Sequence, residues 1–252
     1  MKILSTEQFY HADKITIKNQ KINSLDLMER AAQACFNWFH GNLNGSPVPI
    51  HVFCGIGNNG GDGLALGRML FKHGYNVKVY IANFTDKRSP DFLSNYNLFK
   101  EVSSNWPLLM ESEKDFPKIN NEDIIIDAIF GIGLNRPPEG WLKKLIQYLN
   151  EIKAFRLAID IPSGLYPEKE VEDKEAVFKA NHTLTFQNPK LALFLPEYAT
   201  YSQTFDVLDI GLDANFINKQ EPLAITMVNL KLKIFINQET NLTIKEHLVI
   251  PY

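Results

Sequence analysis

From residue 50 onward, short apolar runs recur at regular intervals: Ile50–Cys54, Val77–Ile81, Ile124–Asp127, Leu157–Asp160, Thr183–Phe186 and Phe205–Leu208. Apolar–polar alternation is weak in the first four, as expected of strands covered on both faces. Helical patterns separate several of them, at Asp62–His73, Pro90–Val102 and Pro138–Asn150. Strands alternating with helices predict an α/β fold with a mostly parallel sheet, its right-handed crossovers laying helices on both sides.

The chain before residue 46 reads as two helices. Ser5 and Gln8 make a capping box for the first, and the second starts near Ser24 with Asp26 in its positively polarised first turn. Met28, Ala31, Ala32, Cys35 and Phe39 recur at helical spacing, so "LMERAA" reads as packing. Residues 219–252 have strand-like alternation without Gly-rich turns. The expected division is a domain over 1–218 and a tail over 219–252, whether edge hairpin, linker or remnant of a further domain.

Composition narrows the classes. The 252 residues are 45% hydrophobic and 22% charged, with net charge −3 and no basic run. That gives no support for nucleic-acid or anionic-membrane binding. No leader-like apolar stretch opens the chain, and no run reaches the ~18 apolar residues of a membrane span, so a cytoplasmic protein is expected. Cys35 and Cys54 read as reduced core residues, and the six histidines lack metal-site spacing.

Three strand ends carry unusual chemistry, and a parallel sheet gathers such ends along one edge. The first is "GIGNNGGDG", where Gly55, Gly57 and Gly60 spell G-x-G-x-x-G. A dinucleotide-binding Rossmann site also wants an acid at the end of the second strand, where this chain has Asn83 and reaches Asp86 only later. Asp62, predicted in the first helical turn, would compete with a pyrophosphate for the same amides. A plain tight turn, with a left-handed Asn and Asp62 as helix cap, is the structural alternative. The second is "DAIFGIGLNRPPEG" after Asp127, and the third "AIDIPSGL" around Asp160.

Together, "GIGNNGGDGLALGRML", "DAIFGIGLNRP" and "AIDIPSGL", with "LMERAA", "TFQNPKLALFLPE" and "VLDIGL", resemble the YjeF N-terminal domain family over roughly residues 1–215. That family contains the NAD(P)H-hydrate epimerases. Ile132 stands where many members have Thr. The resemblance implies a Rossmann-like three-layer α/β/α sandwich, often a homodimer. It also implies an isomerase of nicotinamide-cofactor repair that interconverts the R and S forms of hydrated NADH and NADPH (NAD(P)HX). An ADP- or ATP-dependent dehydratase, specific for the S form, would then restore the cofactor. Carried onto this sequence, Asn58, Asn59, Gly60, Gly61, Asp62, Gly131, Ile132, Gly133, Leu134, Asn135, Arg136, Pro137 and Asp160 would contact substrate. Asn59, Asp127 and Ser163 would hold a potassium ion.

The residues themselves suit this chemistry. The hydrate is a hemiaminal, and inversion needs a group that gives and takes a proton. Asp160 is the first candidate, its alternative role being to accept backbone N–H bonds in the Pro-Ser-Gly turn. Lys190 is the second, its alternative a solvated lysine. Asp127, Asn59 and Ser163 are oxygen ligands suited to a hard cation, or a hydrogen-bond network without one. Arg136 suits a substrate phosphate, or is an exposed loop charge. The rival function is a non-catalytic ligand-binding or dimerisation scaffold.

Overall fold

A computed structural model describes residues 1–103, 106–225 and 235–236. After β1 (Lys2–Ile3) come the helices α1 (Thr6–Gln20) and α2 (Ser24–Leu43). Ser5 and Gln8 form the predicted box on α1; α2 has its own, made by Asn23 and Asp26. The strands β2 (Ile50–Cys54), β3 (Val77–Ala82), β4 (Leu108–Met110), β5 (Ile124–Ala128), β6 (Phe155–Ile159), β7 (Ala180–Phe186) and β8 (Ser202–Leu208) follow. They make one seven-stranded sheet in the order β4-β3-β2-β5-β6-β7-β8, every neighbouring pair parallel. Strand order reverses between β2 and β5, which opens a crevice at their carboxyl ends.

The sheet's two faces read off the strand parity. Ile50, Val52 and Cys54 of β2, Val79 and Ile81 of β3, and Ile124, Ile126 and Ala128 of β5 join one core with α1, α2, α3 (Asn58–Lys72) and α4 (Pro90–Val102). Phe53, Tyr80 and Ile125 point oppositely, against Leu142, Leu145, Ile146 and Leu149 of α5 (Gly140–Glu151). This is the three-layer α/β fold, and it explains the missing alternation: β2 and β5 are buried at every position.

Several expected boundaries shift by one to three residues, as at the starts of β7 and β8, and four differences matter for the site or the fold. α3 begins at Asn58 rather than Asp62, with Gly57 as its extended N-cap, so Asp62 sits in the second turn and caps nothing. Neither Asn58 nor Asn59 is left-handed; both are helical. β6 stops at Ile159, and Asp160 turns into the left-handed region with φ of 67°. α5 starts two residues past Pro138, and β4 escaped prediction because it is three residues long with Leu108 and Leu109 exposed.

Helix α6 (Ala214–Lys219) runs past residue 218. Leu223 then donates to the Ile3 carbonyl at 2.9 Å, and β9 (Ala224–Ile225) pairs antiparallel with both β1 and β10 (Phe235–Ile236). Residues 226–234 and 237–252 of the 219–252 segment lie outside the described residues. Cys35 and Cys54 are buried free thiols. Glu29 of "LMERAA" meets the buried Arg68, while Met28, Ala31 and Ala32 pack.

Candidate functional site

The crevice at the β2/β5 switch point is a cleft of ≈ 800 Å³, within the range of small-molecule sites. All three sequence-singled loops reach it. Asn58, Asn59 and Asp62 come from the start of α3, Gly131 to Pro137 from the loop after β5, and Asp160 from the end of β6. Gly60 and Gly61 do not line it. A side chain at Gly60 would collide with the Gly55 carbonyl, and one at Gly61 would meet the Met28 sulfur at 2.7 Å. Gly60 lets α3 start hard against the loop that leaves β2, and Gly61 lets it press on α2, which outweighs their poor helix propensity.

Asp160 and Lys190 form an ion pair on the cleft floor. Lys190 is not the solvated lysine its flanking sequence allows: it is 1% exposed. Its ammonium also donates to the Phe186 carbonyl at 3.1 Å and lies 4.5 Å from the centre of the Phe9 ring. The Asp160 carboxylate accepts no backbone N–H; the turn is held by Asp127 instead. Asp127 Oδ1 accepts from Ile129 N–H at 3.1 Å and from the Ser163 hydroxyl at 2.6 Å, and Oδ2 accepts from Ser163 N–H at 2.7 Å. Phe130 N–H donates in turn to Ser163 Oγ at 2.8 Å. Asp127 and Ser163 thus lie behind the cleft wall, fully buried, clamping the loop after β5 to the turn after Asp160.

Asn59 is the third member of this region. Its Nδ2 donates to the Ile159 carbonyl at 3.3 Å, while its buried Oδ1 has no partner. A buried oxygen left unpaired costs about 1–3 kcal/mol unless something positive meets it. Asp127 retains acceptor capacity beyond its three bonds, and burial pushes it up from 3.8 to about 6 against the lowering effect of those bonds. An oxygen-only donor set with an orphaned carbonyl and a costly buried carboxylate fits a hard cation. Among the described residues no group of three or more His, Cys, Asp or Glu makes a metal cluster, so such an ion would rest on mixed oxygen donors.

Arg136 and Asn135 are exposed at the cleft mouth, Gly131, Ile132 and Leu134 half-buried beneath them. Arg136 makes no ion pair among the described residues, which leaves it open to an anionic ligand. The Tyr10 hydroxyl lies against Gly133, where an added Cβ would stand 2.8 Å from it. Asn83 does not serve the cleft: it bonds Glu111 at 2.8 Å and Arg88.

Several lining residues carry no motif. Phe9, Tyr10 and Asp13 of α1 close one wall, and Thr85 and the exposed Lys87 after β3 reach the mouth. Helical spacing puts Phe9 and Asp13 on one face of α1, but Asp13 reads as a surface acid until α1 is placed over the strand ends. Burial, then the Asp160 charge, raise Asp13 from 3.8 to about 6, with Lys190 opposing. Asp62 is raised further by burial and by Asp160, Asp13 and Asp91.

Residues 24–192 match the family described as YjeF-related protein N-terminus. A NAD(P)H-hydrate epimerase of Oenococcus oeni is 32% identical over 209 residues, 83% of this chain and 96% of that protein. One of Roseobacter litoralis is 34% identical over 206 residues, 75% of this chain and 91% of that protein. The bifunctional NAD(P)H-hydrate repair enzyme of Dictyoglomus turgidum is 30% identical over 220 residues, and the match spans only 42% of its length. The crystal structure of yeast ynu0 aligns with a TM-score of 0.67 over 94% of this chain and all of that one; at 24% identity it bears on fold alone. On the family match and these relatives, the chain belongs to the YjeF-related N-terminal domain family.

Proposed function

We propose that this chain is an isomerase that interconverts the R and S forms of hydrated NADH and NADPH. The observation that carries the reading is the buried Asp160–Lys190 pair on the floor of a cleft at the sheet's switch point. Withdrawing a carboxylate and an ammonium from water costs them their hydration, and a proton exchanged with a bound substrate gives that arrangement a chemical use. Relatives named NAD(P)H-hydrate epimerase, matched over almost their whole length, support the substrate class.

The hydrate's hydroxyl sits on ring carbon 6, bonded to the ring nitrogen. Asp160 is placed to exchange a proton at that hydroxyl, and Lys190 holds it in its strained turn and keeps its charge compensated. Asn58 and Asp62 line the wall beside it, and Arg136 is available to a substrate phosphate at the mouth. A potassium ion would be held by Asn59, Asp127 and Ser163, and when bound would supply positive charge that offsets Asp127. The clamp from Asp127 through Ser163 to Phe130 shapes the loop after β5 for the substrate.

The reading extends to context. The family resemblance supports a homodimer working beside an ADP- or ATP-dependent dehydratase, and the bifunctional relatives support that partnership. Two buried free thiols suit a reducing, cytoplasmic setting, and among the described residues no helix is long and apolar enough to cross a membrane. The test is direct. Purified protein should equilibrate R and S hydrates, separated by chiral chromatography, faster than buffer does; equal rates would end the reading.

A further inference from the structure

The wall that α1 contributes lies outside the span of the family match, which begins at residue 24. Its inward face presents Phe9, Tyr10 and Asp13 to the cleft. Phe9 is fixed there, because the Lys190 ammonium rests on its ring at 4.5 Å. Asp13, one turn further along α1, is therefore on the side of the Asp160–Lys190 pair. Its carboxylate makes no hydrogen bond and no ion pair among the described residues, so nothing in the fold occupies it. The charged and titratable groups facing it are Tyr10 on its own helix, Asp62 from α3, Asp160 from the end of β6 and Lys190 after β7.

Epimerisation by loss and return of water makes a demand that is met best by two carboxyls. Along this route water leaves carbon 6 on one face of the ring and returns on the other, so a proton is delivered on one side and accepted on the other. At neutral pH the delivering group has to be a carboxyl that readily keeps its proton, the accepting group one that readily stays ionised. The Asp160 carboxylate, held in place by the Lys190 ammonium on the cleft floor, is positioned for the accepting role. We propose that Asp13 fills the first, as the catalytic acid that faces Asp160 across the hydrated ring.

The step rests on the epimerase reading and balances as follows. The Asp13 carboxyl gives its proton to the hydroxyl oxygen on carbon 6. The carbon–oxygen bond breaks, its electron pair leaving with water, while the ring-nitrogen lone pair forms a carbon–nitrogen double bond. A water on the opposite face then adds to carbon 6, the double-bond pair returns to nitrogen, and the water's extra proton goes to Asp160. The reverse direction runs with the roles exchanged, and exchange through solvent resets the proton between the two carboxyls. Turnover in both directions therefore needs one proton shared by the pair. Burial and the neighbouring Asp160 charge let Asp13 hold it up to about pH 6, well above an ordinary carboxyl, and the rate should fall as pH rises through about 6.

The test compares wild type with Asp13→Asn and Asp13→Glu under the same chiral assay. Asp13→Asn should lose ~10²–10⁴ in kcat, with KM changed less than about threefold, unchanged circular dichroism and no remaining rate limb near pH 6. Asp13→Glu, which keeps the acid, should recover part of kcat and keep a limb. An active wild type with an equally active Asp13→Asn overturns this role alone. So does a loss that appears as KM, or that Asp13→Glu shares in full. If Asp13→Asn does not fold, the wild-type profile decides: a flat rate across pH 5–7.5 overturns the role. An inert wild type overturns the epimerase reading itself.

Discussion

Asp160 adopts a left-handed backbone, with φ of 67°, while its amide donates to the Leu184 carbonyl at 2.7 Å and its carboxylate meets Lys190. A non-glycine residue there costs on the order of 1–3 kcal/mol, and Asn is among the few that tolerate it. Asp160→Asn therefore leaves the backbone in place and isolates the charge. Activity should drop by ~10²–10⁴. Stability should fall by about 3–5 kcal/mol in urea unfolding, because the Lys190 ammonium is left buried without its counter-charge. Replacing Lys190 with Met as well should return part of that stability and none of the activity. A double variant whose loss equals the sum of the two single losses would show that the pair is not coupled. The sequence pointed to Asp160 because it stands at a strand end before Pro-Ser-Gly. It also offered Lys190 as the second candidate but not its burial, since a lone lysine between Pro189 and Leu191 carries no sign that Phe9, far away in the chain, provides its resting place.

Element boundaries show what pattern reading captures and what tertiary contact decides. β2 and α4 are read residue for residue, because an apolar run after a turn and a Ser-Pro helix start are local signals. The start of α3 is not, because its first turns hold Asn58, Asn59, Gly60 and Gly61, poor helix formers by propensity. Close approach of α3 to the Gly55 turn and to Met28 of α2 overrides that propensity. The two glycines of the motif should accordingly behave differently. Gly60→Ala sets a methyl into the Gly55 backbone and should cost about 1–3 kcal/mol. Gly57 has extended backbone and open space around its Cβ position, so Gly57→Ala should cost no more than the roughly 0.5–1 kcal/mol by which Ala is the poorer N-cap. Urea midpoints measure both, and equal costs would refute close packing as the reason for Gly60. The G-x-G-x-x-G spelling is thus real at the level of backbone geometry. The cleft it borders nonetheless has Asn83 turned to Arg88 and Glu111 rather than to a ribose.

At the scale of the molecule, the cleft and the wall behind it concentrate carboxyls that the fold makes reluctant to ionise. Asp13 and Asp127 move from 3.8 to about 6, and Asp62 moves up as well, each chiefly through burial. A group with a raised acid pKa binds more protons folded than unfolded, so its contribution to stability falls as pH rises from about 4 through 6. For the fully buried Asp127 the whole shift is worth about 3 kcal/mol. His51, lowered by burial, works the other way and loses stability as pH falls below 6.5. The lowered groups Asp115, Asp173 and Asp213 act only below about 4, outside this window. Three raised carboxyls outweigh one histidine, so the protein without added potassium should melt higher near pH 5 than near pH 7.5. A cation on Asn59, Asp127 and Ser163 binds the ionised form of Asp127, and so should recover most at the higher pH. Potassium chloride, compared with the chloride of a bulky organic cation at equal ionic strength, should raise the melting temperature at pH 7.5 and much less at pH 5. At a hundredfold excess over its dissociation constant the gain approaches about 2.7 kcal/mol. Asp127→Asn should abolish the potassium-specific shift; a shift equal at both pH values, or undiminished in that variant, would place the cation elsewhere.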